Sequence, residues 1–169
     1  MPTRMTETPS VKPSKPAARR SDDLIGVFST LAEQHSEMAA MLAQLQQDPS
    51  SRALQWPLVR RELVSHEHSE VRELYPALRQ YEALRALADH HDEEARELDA
   101  LICRLDTMDV RSDAWGEVLD VLTQTVLHHA KEEEEQTIFP AAQQAIGEAR
   151  AIELDAKLVL AKQQLAAQQ

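Results

Sequence analysis

One cysteine, Cys103, is all the chain has. That excludes an intramolecular disulfide and a cysteine-based metal site, and it fits a reducing, cytoplasmic location. Glycine is also scarce, at 3 of 169 residues, and Phe, Trp and Tyr together make up only 4%. Strand-like alternation of Val, Ile and Thr is absent, so there is little from which to build a sheet. No apolar run approaches the ~20 residues needed to span a membrane. The N-terminus lacks an apolar signal core, so neither a membrane segment nor an export signal is expected. Positive charge is short as well: the net charge is -11, which argues against nucleic-acid binding through the overall field.

What is present is Ala, Leu, Glu and Gln, whose side chains lose little freedom in a helix. The length suits one domain with its own core. Residues 1–20 hold four of the eight prolines and the basic residues Arg4, Lys12, Lys15, Arg19 and Arg20 against the single acid Glu7; they read as a disordered basic tail. Ser21 is placed to cap a first helix whose apolar residues Leu24, Phe28, Leu31, Met38, Leu42 and Leu45 recur with helical period. Asp48-Pro49-Ser50 ends it. A second helix is expected from about Pro57 into the 70s, a third over about 82–106, and a fourth from a Ser112 cap to about 136. Pro140 opens a short fifth stretch, and 151–169 form a C-terminal helical extension. Residues 21–150 are thus expected to form an all-α, up-down-up-down four-helix bundle.

The histidines carry the chemical signal. His66 is followed four residues on by Glu70 and then by Leu74-Tyr75-Pro76; His129 is followed four residues on by Glu133 and then by Ile138-Phe139-Pro140. Residues i and i+4 lie one above the other on a helix. Both histidines extend the apolar stripes of their helices, through Trp56, Val59 and Leu63 and through Leu119, Leu122 and Val126. His35 and His91 sit in matching frames on helices one and three, flanked by Phe28, Leu31, Leu42 and Leu45 and by Leu84, Leu87, Leu98 and Leu101. A single His-x-x-x-Glu means little in so acidic a chain: His90/Glu94 and His128/Glu132 have it too, and the choice between these neighbours and His91 or His129/Glu133 stays open. Two aligned pairs plus two in-frame histidines mean more. Buried carboxylates beside four imidazoles are tolerable when cations lie between them, and such ligands without thiolate suit iron, manganese or zinc. Neither the Glu-x-x-His spacing of ferritin-type sites nor the His-Glu-x-x-His of zinc proteases occurs.

These residues, Glu33-Gln-His35, His66-x-x-x-Glu70 before Leu-Tyr-Pro76, Asp89-His-His91 and His129-x-x-x-Glu133 before Ile-Phe-Pro140, resemble the hemerythrin-like (HHE cation-binding) family over about residues 21–145. The resemblance implies a non-haem di-iron centre of two iron ions, bridged by oxo or hydroxo and by the carboxylates of Glu70 and Glu133. It implies His35 and His66 towards one iron and His91 and His129 towards the other. The respiratory members have a fifth histidine four residues from the one on helix three. Ala95 and Leu87 stand there in this chain, which argues against simple oxygen carriage. Glu67 resembles an extra carboxylate ligand of an iron-sensing member and is a candidate replacement. Tyr75 is a candidate hydrogen-bond donor to a ligand. The expected function is binding or sensing of O2, NO, peroxide or iron itself, more a binding protein than an enzyme. A di-iron enzyme removing peroxide or NO, and a metal-free helical interaction protein, are the alternatives. The expected partners are a small diatomic ligand or peroxide, with no nucleic acid and no membrane. The expected state is a monomer or weak homodimer, with the tail or C-terminal helix available to a protein partner.

Overall fold

A computed structural model describes residues 23–168; the basic tail and the Ser21 cap lie outside the described residues. The fold is an all-α bundle, with no strand among the described residues. Helix α1 (Val27–Gln47) is followed, after a 3-10 turn at Pro49–Ser51, by α2 (Arg52–Ser69). Helix α2 begins five residues before Pro57, which is a correction to the sequence reading. The helix begins directly after the 3-10 turn, at Arg52, whose guanidinium donates to the Leu45 carbonyl at 3.0 Å and lies 5.4 Å over the Trp115 ring. Pro57 stands on the exposed face near the start of the helix, where the loss of one backbone bond is tolerated. Helices α4 (Arg85–Asp106) and α5 (Asp113–His128) form the second pair. Ser112 caps α5 as expected, accepting from the Trp115 N–H at 3.1 Å.

Neither α2 nor α5 stops at its last α-helical residue. The first continues through a π-helical segment, Glu70–Leu74, into α3 (Tyr75–Leu78). The second continues through a longer one, His129–Ile138, into α6 (Phe139–Ile146). A proline follows each segment closely, Pro76 or Pro140. Proline has no N–H, and its ring clashes with the carbonyl four residues back, here that of Arg72 or Gln136. Widening the turn by one residue relieves both problems. The closing bonds have the i→i−5 pattern: the Tyr75 N–H donates to the Glu70 carbonyl, and the Phe139 N–H to the Glu134 carbonyl.

The final helix, α7 (Glu148–Ala166), lies against α1, α2 and the first π segment. It buries Ala151, Leu154, Leu158 and Ala161, a stripe with helical spacing. Each buried leucine contributes about 1.5–3 kcal/mol of apolar burial. Gly26, at φ 58°, allows the start of α1 to approach the start of α7: a Cβ there would fall 2.6 Å from the Ala151 backbone.

The core has two apolar layers. One gathers Phe28, Leu31, Tyr75, Leu78, Phe139 and Leu158; the other gathers Met38, Leu42, Trp56, Leu98, Trp115 and Leu119. Along the helices the four histidines of interest fall between the layers, as between Leu31 and Met38 on α1. A buried polar layer therefore separates the two ends of the bundle.

Candidate metal centre

His35 on α1, His66 on α2, His91 on α4 and His129 at the start of the second π segment are all buried, each no more than 4% exposed. Their neighbours His90 and His128 have side chains more than half exposed, so of each adjacent pair it is His91 and His129 that the structure turns inward. Three glutamates join the four imidazoles: Glu67, Glu70 and Glu134. Ligand atoms of His35, His66, Glu70 and Glu134 lie within 4.8 Å of one another, and so do those of Glu67, Glu70, His91 and His129. Glu70 belongs to both groups. Glu134 reaches across them, at 3.1 Å from His35 Nε2, 3.6 Å from His129 Nε2 and 3.8 Å from His91 Nε2.

Glu133, the carboxylate expected from the sequence, is not in this interior group. Its side chain is 26% exposed and faces His90 and His128. Glu134 takes the interior position. The reason is the wide turn: across a π-helical segment, i+5 rather than i+4 returns to the same face. His129 is ten residues before Phe139, whereas His66 is nine before Tyr75. The sequence held a signal for this: five residues back from the aromatic of each aromatic-Pro stand Glu70 and Glu134. Glu67 is brought inside, 5% exposed, with one oxygen 3.2 Å from His91 Nε2 and the other 3.9 Å from His129 Nε2.

The imidazoles are held from outside. His35 Nδ1 lies 3.0 Å from Glu135, His66 Nδ1 2.8 Å from the Gln34 amide oxygen and His129 Nδ1 3.1 Å from Glu94. Each outer partner fixes a ring so that Nε2 faces inward. Sequence reasoning did not give these three this role: Glu94 stands out only as the i+4 neighbour of His90, and Gln34 and Glu135 stand at no ligand position. The aromatics cross between halves: Phe139 stacks on His35 with centroids 5.8 Å apart, and Tyr75 stacks on His91 at 3.5 Å. The Tyr75 hydroxyl donates to Glu134.

The electrostatics describe a cluster short of positive charge. Burial pushes the Glu67 carboxyl up to about 7 and Glu70 well above the usual carboxylate range. Burial also lowers His91 to about 4 and His66 well below the usual imidazole value. At His129 burial acts the same way, but the carboxylates of Glu134, Glu94 and Glu67 overcome it and lift the ring to about 10. His35 is raised in the same fashion by Glu134 and Glu135. Glu134 is held low despite its burial, by His129 and His35. Protons thus stand where cations would. His35 Nε2, His129 Nε2, Glu67 Oε1, Glu70 Oε1 and Glu134 Oε2 are buried without a hydrogen-bond partner. Such orphaned atoms are costly unless something else binds them. Donor type, inward aim and the convergence of these atoms on one another all fit a metal.

A family model described as the hemerythrin HHE cation binding domain matches residues 26–142. The chain belongs to this family. No curated protein and no solved structure gave a match. The matched span of this hemerythrin HHE domain covers all four interior histidines and Glu67, Glu70 and Glu134, and it ends before α7. Among the described residues, no helix of the domain is long and apolar enough to cross a membrane.

Proposed function

We propose that the domain holds two iron ions and binds or senses a small ligand such as O2, NO or peroxide. The supporting observation is the set of buried imidazole and carboxylate atoms that converge on one another in two groups sharing Glu70. In this reading His35 and His66 bind one ion, and His91, His129 and Glu67 the other. Glu70 and Glu134, which reach both sets of imidazoles, would be shared between the two ions, in the place the family resemblance assigns to Glu70 and Glu133. Bound iron would supply one-electron redox chemistry.

The chain's own residues do the rest. Gln34, Glu135 and Glu94 hold three imidazoles in one tautomer and orientation. Tyr75 fixes the Glu134 carboxylate. A cavity of about 20 Å³ lies beside His35, His66, Glu67 and His129 and is walled by Met38, Leu63, Leu98, Ile102 and Val126. That is room for one water-sized or diatomic molecule, and the apolar walls disfavour charged ones.

The test is to purify the protein under iron-replete conditions, measure its iron and titrate it optically from anaerobic to aerobic. Two irons per chain and a ligand-dependent visible spectrum are expected. Substoichiometric iron with a featureless spectrum would overturn the reading. The third interior carboxylate, Glu67, favours a second reading, redox removal of peroxide or NO. Steady turnover that is lost in Glu70→Ala would select it over ligand binding alone.

A further inference from the structure

Outside the interior cluster, on the face formed by α4 and the second π segment, a second set of donors converges. His90 and Glu94 stand one turn apart on α4. His128 ends α5, and Glu133 is turned outward by the same wide turn that carries Glu134 inside. His90 Nε2 lies 3.8 Å from Glu94 Oε1 and 3.8 Å from Glu133 Oε1, and His128 Nε2 lies 3.4 Å from the same Glu133 oxygen. Donor atoms of His90, Glu94 and Glu133 are all within 4.8 Å of one another.

These spacings are informative. The 3.8 Å separations are too long for hydrogen bonds. Yet two donors that each bind a common ion at ~2.1 Å with tetrahedral angles stand about 3.4 Å apart. Two of the donors are oriented from behind. His128 Nδ1 lies 3.1 Å from Glu132, which leaves Nε2 facing Glu133. Glu94 Oε2 lies 3.1 Å from His129 Nδ1, which leaves Oε1 for the outer cluster. Carboxylate support behind a ligating imidazole is the usual construction of a metal site.

We propose that His90, His128, Glu94 and Glu133 form an exterior site for one divalent transition-metal ion, distinct from the interior centre. Two imidazoles and two carboxylates without thiolate suit Zn²⁺, Fe²⁺, Mn²⁺ or Co²⁺. Both histidines are more than half exposed, so an ion held there would exchange with solvent faster than one held in the interior.

Co²⁺ is the probe, titrated into the full chain and followed by calorimetry and by its visible absorption. The wild type is compared with the double variant His90→Ala/His128→Ala, whose replaced side chains project into solvent, and with Glu133→Gln. The wild type is expected to bind one more rapidly exchanging Co²⁺ per chain than the double variant, with Glu133→Gln binding it more weakly. The comparison is a difference, so it reads the same whether the interior holds two ions or none: substoichiometric iron would refute the di-iron reading and leave this one standing. Equal Co²⁺ stoichiometry in the wild type and the double variant overturns the proposal. So does an extra equivalent that Glu133→Gln retains at unchanged affinity.

Discussion

The two halves of the bundle use the same parts at different spacing. In the first, His66 and Glu70 are four residues apart and the aromatic of Tyr75-Pro76 comes five residues after the glutamate. In the second, His129 and Glu134 are five apart, and Phe139-Pro140 again comes five after the glutamate. The extra residue is absorbed by lengthening the π-helical segment, from Glu70–Leu74 in one half to His129–Ile138 in the other. The geometry held constant is therefore the relation of the carboxylate to the proline-imposed wide turn, with the glutamate carbonyl accepting from the aromatic's N–H in both. The distance from histidine to carboxylate along the chain is free to vary. One displaced residue also turns Glu133 outward, where it meets His90 and His128.

The strongest way to break this comparison is to remove the two candidate carboxylates one at a time. Glu134→Gln is expected to lose most of the interior metal and the stability linked to it, as Glu70→Gln does in the other half. Glu133→Gln is expected to keep the interior metal. Iron content and thermal unfolding of the three variants, prepared side by side, provide the check. Interior metal lost from Glu133→Gln and kept in Glu134→Gln would reverse the assignment.

A smaller effect is expected from making the halves equal. Deleting Lys131 puts Glu134 four residues after His129 and leaves its distance to Phe139 unchanged. The second half then has the spacing of the first, and interior metal should be retained. The deletion costs the ion pair of Lys131 with Glu135 at 2.6 Å, a partly exposed contact worth at most about 1 kcal/mol. Iron content as low as that of Glu134→Gln would show that the length of the second π segment matters in its own right.

The helices, their order and the four interior histidines were readable because apolar periodicity and burial are coupled: a histidine that continues a stripe of leucines points inward. Glu67 was harder, because a regular α-helix directs i+1 well away from i. It is inside because it faces His91 and His129 of the opposite half rather than His66 on its own helix. Glu133 was expected inside because i+4 was carried from an α-helix onto a segment that is not one; the structure places Glu134 there instead. Gln34 and Glu135 stand at no ligand position, and Glu94 stands out only as the i+4 neighbour of His90, since an outer partner of an imidazole is fixed only by packing between helices. The docking of α7 was weakly marked, by the small and apolar residues Ala151, Leu154, Leu158 and Ala161.

The aromatics give a finer contrast. Tyr75 and Phe139 hold equivalent places and each stacks on a histidine of the other half, but only Tyr75 has a hydroxyl, and it donates to Glu134. Tyr75→Phe removes that difference. A hydrogen bond to a buried charged carboxylate is worth about 1.5–3 kcal/mol, so the metal-free variant should lose about that much stability. Metal content should fall less than in Glu134→Gln, because the carboxylate remains. Chemical unfolding of the apo-proteins measures the first and iron analysis the second; an unchanged midpoint would show that the hydroxyl is replaceable by solvent.

The least effect is expected where the two halves begin their second helices. Ser51 and Ser112 precede α2 and α5 at equivalent places. Ser112 Oγ accepts from the Trp115 N–H, whereas Ser51 makes no such bond to its helix and instead donates to the Asp48 carbonyl at 3.0 Å. Capping serines replaced by alanine typically cost about 1 kcal/mol. Ser112→Ala should therefore lower stability by about that amount, and Ser51→Ala by less, with metal content unaltered in both. Trp115 is fully buried and also donates its indole N–H to the Leu105 carbonyl at 3.2 Å, so the turn that Ser112 closes anchors the apolar layer farther from α7. If Ser51→Ala proves the more costly, Asp48 and its 3-10 turn, rather than a side-chain cap, set the start of a second helix in this fold.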